Sequence, residues 1–344
     1  MPPATSQRPP HRSPLPQPLP QPTPHQPHQP HQPHQPTLHD WVGDTERFHA
    51  THWRRRPGVF RPEQPIAPNL TLEQIDTAFA GGLLHQPYVE IAHADDPVAP
   101  ETYSTSRNVL GTANGGYVDS VRIRELLDGG ATLLLRNVDH WHPPTAELTA
   151  RLTEELGRRV EAFFFITPPG SQGLPLHRDD ADVLILQVNG SKRWHVHEGP
   201  EDEDWRPGRV TGECPAVLET TLRTGEVLYI PRGFAHRATG DSGLSAHLSL
   251  TVREPGSQQL FGALQRLLMA GLKLPPRPVD DAALLETAGT MLGHLAERLA
   301  SLTAADVLEA ARAAQRAGLP DHAAPGLAAL ARELADRPRP APVA

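Results

Sequence analysis

Gly170-Ser-Gln-Gly173-Leu-Pro175-Leu-His177-Arg-Asp179-Asp-Ala-Asp182-Val-Leu-Ile-Leu-Gln-Val-Asn189-Gly-Ser-Lys192-Arg-Trp194 is the stretch on which the fold turns. A lead-in rich in Gly and Pro gives way to an apolar run over 182–188, then to Asn189-Gly190 and a second run over 193–197. Short runs rich in β-branched and aromatic residues, closed by turn residues, read as strands. The pattern recurs at 131–137, 160–167, 226–230 and 244–252, punctuated by Pro168-Pro169-Gly170 and Pro231-Arg232-Gly233. Strands at this spacing predict a sandwich or barrel rather than a doubly wound sheet. One helix is expected among them at 145–156, with Thr145 as its N-cap and Gly157 as its stop. The predicted core is mainly β with some α.

The same stretch carries candidate metal ligands. Side chains two apart on a strand share a face, so His177 and Asp179 can converge on one ion, while Asp180 cannot join them. A further imidazole must come from a distant strand, and Gly225-Glu-Val-Leu-Tyr-Ile-Pro231-Arg-Gly233-Phe-Ala-His236 supplies it, 59 residues after His177. Two imidazoles and a carboxylate on one face leave coordination positions open, as in non-haem Fe(II) oxygenases, although zinc hydrolases use the same set. His195 and His197 read as strand or rim residues, and His247 as a satisfied histidine of the sheet.

Composition narrows the classes further. Of 344 residues 39 are proline, 14 of them within 1–36, where His25, His28, His31 and His34 recur in a His-Gln-Pro repeat. That segment has no acidic residue and no periodic apolar face, so it is expected to be a disordered tail, with a weak metal-binding arm as the alternative. No apolar run is long enough to span a bilayer. The start of the chain lacks the apolar core of a secretory signal. A single cysteine, Cys214, excludes an internal disulfide framework and a cysteine zinc site. The expected location is the cytoplasm. Net charge is −8 with no basic excess, so direct nucleic-acid binding is not expected. The acidic loop Glu201 to Asp204 reads as solvated, or as bait for a basic peptide. The expected division is a tail over 1–36, an oxygenase-type domain over 37–254 and a helical region over 255–344. In that last region Leu260, Leu264, Leu267 and Leu268, then Leu284, Leu285, Met291, Leu292 and Leu295, repeat at helical spacing. Thr303 and Asp306 form a capping box, a final helix is expected at 322–335, and the apolar stripes suit a small bundle or a homodimer surface.

From about residue 38 to 252 the chain resembles the JmjC-type cupins of the ribosomal oxygenase family, 2-oxoglutarate-dependent protein hydroxylases. The likeness rests on Phe48 through Trp53-Arg-Arg-Arg-Pro57-Gly-Val-Phe, on Gly129-Gly130-Ala-Thr132-Leu-Leu-Leu-Arg-Asn-Val-Asp and on Thr167-Pro-Pro-Gly-Ser-Gln-Gly. It continues through His177-Arg-Asp179-Asp and Leu186-Gln-Val-Asn-Gly-Ser-Lys-Arg-Trp194. The resemblance implies a double-stranded β-helix that holds Fe(II), 2-oxoglutarate and O2 and hydroxylates a side chain. It implies iron ligation by His177, Asp179 and His236, and pairing of Lys192 with the distal carboxylate of 2-oxoglutarate. Lys192 is one of only two lysines in the chain. Thr251 approximates a hydroxyl that supports the cosubstrate. Phe165 stands where many relatives carry a tyrosine that contacts it, so the resemblance implies either another donor such as Thr167 or weaker cosubstrate binding. Residues 255–344 fit the family's dimerisation helices and leave no length for a full winged-helix domain.

Three functions follow from these readings: an oxygenase acting on a protein or peptide, a ribosomal protein among the candidates; a tailoring oxygenase for a small molecule or biosynthetic peptide; and a metal-binding cupin without catalysis. Fold does not choose among them, nor does the JmjC label license lysine demethylation.

Overall fold

A computed structural model describes residues 36–66, 70–82, 84–93, 98–212, 214–317 and 326–335. The His-Gln-Pro repeat and the proline-rich end lie outside them. Two short helices lead in, α1 (Leu38–Val42) and α2 (Thr45–Thr51), followed by β1 (Gly58–Phe60), α3 (Leu72–Ala80) and β2 (Val89–Ala92). A hairpin of β3 (Ser104–Val109) and β4 (Thr112–Val118) precedes α4 (Ser120–Asp128), β5 (Thr132–Leu135) and α5 (Pro143–Leu156). The central strands are β6 (Val160–Thr167), β7 (His177–Arg178), β8 (Asp182–Asn189), β9 (Ser191–His197), β10 (Gly208–Arg209) and β11 (Ala216–Arg223). β12 (Val227–Ile230), β13 (Ala235–Gly240) and β14 (Ser245–Val252) complete them, and α6 (Ser257–Met269), α7 (Asp281–Ser301), α8 (Ala304–Arg316) and α9 (Leu327–Ala335) follow.

The strands form a seven-stranded sheet, β1-β12-β8-β14-β6-β5-β2, and a five-stranded sheet, β10-β7-β13-β9-β11, with the β3–β4 hairpin apart. Pairing within both large sheets is antiparallel. Successive strands alternate between the sheets, β8 in the larger, β9 in the smaller, and again β12, β13 and β14 in turn, which is the winding of a double-stranded β-helix.

Both faces of the larger sheet are covered, and this explains the unbroken apolar run of β8. Val183 and Ile185 turn toward the smaller sheet, packing with Trp194, Val196, Leu222, Leu228, Ile230 and Ala238. Leu184 and Leu186 turn the other way, into a cluster with Phe164, Leu248, Leu250 and the helical residues Leu148 and Leu152. A strand buried on both faces loses the polar alternation of a surface strand. β14 shows the complementary case: Ala246, Leu248, Leu250 and Val252 join the outer cluster, whereas His247, Ser249 and Thr251 hold the opposite face.

Two helix starts differ from the expected ones. α5 begins at Pro143 with His142 at the N-cap, and Thr145 lies inside it, its hydroxyl 2.8 Å from His142 Nδ1. Proline suits the first helical positions because its missing N–H has no acceptor there, so the Pro143-Pro144 pair outweighs a threonine cap. Its end at Gly157 is as expected, in the left-handed conformation with φ 64°. α9 starts at Leu327, and 322–325 lie outside the described residues. The Thr303 capping box forms, with Thr303 N 2.8 Å from Asp306 Oδ2 and Asp306 N 3.2 Å from Thr303 Oγ1.

Charged groups tie the segments on either side of the barrel to it. Glu254, just past β14, accepts bonds from Arg158 Nε (2.6 Å), Arg312 Nε (2.7 Å) and Arg54 Nη2. Burial would raise its pKa, but the bonds from Arg312, Arg158 and Arg54 outweigh burial and hold it down to about 2. Arg54 Nε also meets Asp182 at 3.2 Å, and Asp182 accepts from the Tyr229 hydroxyl at 2.6 Å. No helix among the described residues is long and apolar enough to cross a membrane.

Candidate metal centre

His177 and His236 are directly opposed across the β7–β13 pair, so the sheet register brings two imidazoles to one point. Asp179 completes the set: one ligand atom from each of the three lies within 4.8 Å of the other two. Asp179 does not sit on the strand face, as the two-residue spacing predicts, because β7 ends at Arg178. Its place comes from the loop that follows. The backbone N–H of Gly233 donates to Asp179 O at 3.0 Å. Arg178 Nη1 donates to the carbonyls of Glu198 (2.9 Å) and Gly233. Arg232 Nε then donates to Asp180 at 2.6 Å, and its backbone N–H to Asp182 at 3.2 Å. The two metal-facing loops are thus stitched to each other.

The ligands are prepared for a cation. His177 Nδ1 lies 2.8 Å from the Pro175 carbonyl and His236 Nδ1 3.1 Å from that of Phe234. Donation from Nδ1–H fixes the tautomer and leaves each Nε2 lone pair free, the arrangement common to metal-bound histidines. Burial, then the neighbouring His177, lowers the pKa of His236 and keeps it neutral. His177 Nε2 is 3.7 Å and His236 Nε2 3.5 Å from the Asp179 carboxylate. The three ligand atoms are near enough to one another that a single cation would be held by all of them.

Behind the triad is a cavity lined by Phe165, Gly173, Lys192, Trp194, His247 and Ser249 besides the triad itself. Lys192, 2% exposed, donates from Nζ to Thr167 Oγ1 at 2.9 Å, and that oxygen lies 3.0 Å from Thr132 Oγ1. Among the described residues no carboxylate pairs with this ammonium, and burial lowers its pKa from 10.5 to about 7. Gly173 keeps the space beside it open, since a Cβ there would lie 3.7 Å from Nζ. A buried cation without an anion, next to a bare glycine, fits the carboxylate end of a small ligand.

The remaining candidates divide. Phe165 lines the cavity, and Thr167 reaches it through Lys192. Thr251 shares a strand face with Ser249 but does not line the cavity, and its hydroxyl lies 3.5 Å from the Glu161 carbonyl. His195 faces Glu219 at 3.6 Å and His197 Nδ1 meets the Cys214 carbonyl at 2.5 Å, so neither reaches the cavity. His247 is buried in the sheet as expected, yet its Nδ1 has no partner among the described residues. Trp194, Ser249, Gly173 and Thr132 were not singled out from sequence, although the alternation of β14 would have exposed Ser249.

The JmjC domain model matches residues 140–260, the stretch that carries the triad and the cavity. The matched stretch is about a third of the chain, and a ribosomal oxygenase is among the curated proteins it resembles. It is 33% identical over 147 residues to the bifunctional lysine-specific demethylase and histidyl-hydroxylase NO66 of Drosophila simulans, covering 41% of this chain and 17% of that one. Over 238 residues it is 27% identical to ribosomal oxygenase 1 of Gallus gallus, covering 67% of this chain and 38% of the relative. It therefore spans well under half the length of these curated relatives. In structure it resembles E. coli ycfD with a TM-score of 0.50 at 20% identity, covering 75% of this chain and 71% of that one.

Proposed function

We propose that the chain is an Fe(II)- and 2-oxoglutarate-dependent oxygenase that hydroxylates a side chain of a protein or peptide. The observation that carries the reading is Lys192, an unpaired cation buried in the same cavity as three metal-type ligands. A metal site alone suits hydrolysis as well as oxygenation; a buried ammonium beside it selects a carboxylate-bearing cosubstrate.

His177, Asp179 and His236 would hold the iron, which when bound couples O2 reduction and 2-oxoglutarate decarboxylation to hydroxylation. The Nδ1–H bonds to Pro175 and Phe234 keep both imidazoles oriented and unprotonated at Nε2. Lys192, steadied by Thr167, would neutralise the distal carboxylate, and Val183, Ile185, Trp194 and Ala238 exclude water around it. A cleft of about 520 Å³ that includes Pro175 and Arg209, the latter paired in register with His177, would receive the substrate. That breadth suits a side chain carried on a peptide. The names of the relatives, a histidyl-hydroxylase and a ribosomal oxygenase, point to a ribosomal protein as the first substrate to try, in the cytoplasm.

α7 supports the assembly part of the reading. Leu284, Leu285, Leu292 and Leu299 are 52–75% exposed, and a second copy of the chain would cover them. Sedimentation should give a dimer that Leu285→Asp/Leu292→Asp dissociates with metal binding retained; a wild-type monomer at micromolar concentration rejects it. For the activity itself, purified protein with Fe(II), ascorbate and ribosomal-protein peptides should convert 2-oxoglutarate to succinate, and His177→Ala should not. Absence of turnover in the wild type, with metal bound, leaves a non-catalytic cupin.

A further inference from the structure

β6 and β14 pair with Phe165 opposite His247. The two rings stack, centroids 4.9 Å apart and planes 7° from parallel, and Trp194 packs edge-on against His247 at 5.4 Å. His247 is 2% exposed, lines the cavity, and has an Nδ1 with no partner among the described residues. Buried polar atoms are nearly always bonded, so an unmet imidazole nitrogen at this depth marks a place for a ligand. Phe165, against which the ring lies flat, offers no donor, and Thr167 is engaged by Lys192 and Thr132.

A carboxylate accepts about four hydrogen bonds, and the Lys192 ammonium, with one of its three N–H groups given to Thr167, has two left to offer. We infer that His247 is a second anchor for the distal carboxylate of the cosubstrate, donating a ring N–H beside Lys192 and so selecting a 2-oxo dicarboxylate over a 2-oxo monocarboxylate. The inference rests on the cosubstrate reading given above and adds to it a residue that determines ligand selectivity. Phe165 serves as the wall that sets the plane of the imidazole, a role that a hydroxyl at that position would replace.

The test is calorimetric titration of Mn(II)-loaded protein under nitrogen, first with 2-oxoglutarate and then with 2-oxobutyrate, which lacks the distal carboxylate. A lost hydrogen bond to a charged group corresponds to roughly tenfold or more in affinity. His247→Phe should weaken 2-oxoglutarate at least tenfold and leave 2-oxobutyrate within about twofold. His247→Gln, which keeps an N–H donor, should retain most of the affinity, and adding Phe165→Tyr to His247→Phe should restore part of it. Mn(II) affinity by electron paramagnetic resonance should be the same in all of them, which also reports that the barrel is folded. The inference is overturned if His247→Phe binds 2-oxoglutarate like the wild type, or loses both ligands equally. Loss of binding in Lys192→Met but not in His247→Phe defeats this inference alone; a wild type that binds no 2-oxoglutarate defeats the cosubstrate reading itself.

Discussion

Replacing Lys192 with methionine should stabilise the ligand-free protein while removing its affinity for 2-oxoglutarate. The ammonium is buried with one hydroxyl for company, and burial lowers its pKa from 10.5 to about 7. The unfolded chain therefore holds this proton more tightly than the folded one, and folding costs free energy wherever the unfolded lysine is charged. At about 1.4 kcal/mol per pH unit the cost at pH 7.5 is at most about 4 kcal/mol. It declines as pH rises from about 7 toward 10.5, leaving about 1.4 kcal/mol at pH 9.5. Methionine matches the length of the stem without the charge, and Thr167 keeps its contact with Thr132. Urea unfolding of metal-free protein, followed by far-ultraviolet circular dichroism, should show a higher midpoint for the variant at pH 7.5 and a difference that shrinks by pH 9.5. Calorimetry should show 2-oxoglutarate affinity reduced about a hundredfold, the effect expected for a buried charge-assisted bond. A variant less stable than wild type, or a gain independent of pH, would refute the claim that Lys192 is an uncompensated cation awaiting an anion.

Gly173→Ala places a methyl in ordinary contact, 3.4 Å from Thr132 Oγ1 and 3.7 Å from Lys192 Nζ. Stability should change by less than about 1 kcal/mol, while 2-oxoglutarate binding by calorimetry drops tenfold or more. Arg232→Ala removes the 2.6 Å bond to Asp180 that anchors the Asp179 loop. Chelator competition should report a ten- to hundredfold loss of metal affinity, and an unchanged value would show that the loop holds itself. Glu254→Ala removes the common acceptor of three arginines and should cost about 3 kcal/mol, with faster hydrogen exchange across α8. Because its pKa is held down to about 2, the wild-type contribution is complete above the ordinary 4.5 and fades as pH falls through 2.

What could be read from sequence followed burial. β6 was expected at 160–167 and forms there, and β8 and β14 differ from expectation by one residue each. In β8 packing on both faces imposes an apolar run that ends at a turn, whereas in β14 apolar residues alternate with His247, Ser249 and Thr251. The convergence of His177, Asp179 and His236 was legible from spacing, although half for the wrong reason. The register of β13 against β7 aligns the histidines, but Asp179 reaches them from a loop whose course depends on Arg178 and Gly233, contacts that no local pattern encodes. Lys192 stood out because lysine is so scarce in the chain. His247 did not, since a strand histidine carries no mark of its own, and only its position opposite Phe165 reveals the unmet nitrogen. The stripe on α7 was visible as leucines at helical spacing, yet a stripe does not say whether its own chain covers it. Here most of it stays exposed.

The central claim is that this cavity oxygenates a protein side chain. Quantitative mass spectrometry of lysates from cells with the gene, without it, and complemented with His177→Ala tests it most directly. The account predicts a peptide that gains one oxygen in the wild type alone, accompanied by succinate formation when that peptide is given to the purified protein with Fe(II) and 2-oxoglutarate. A proteome with no oxygen gain specific to the wild type, from cells in which the protein is folded and metal-loaded, would contradict it.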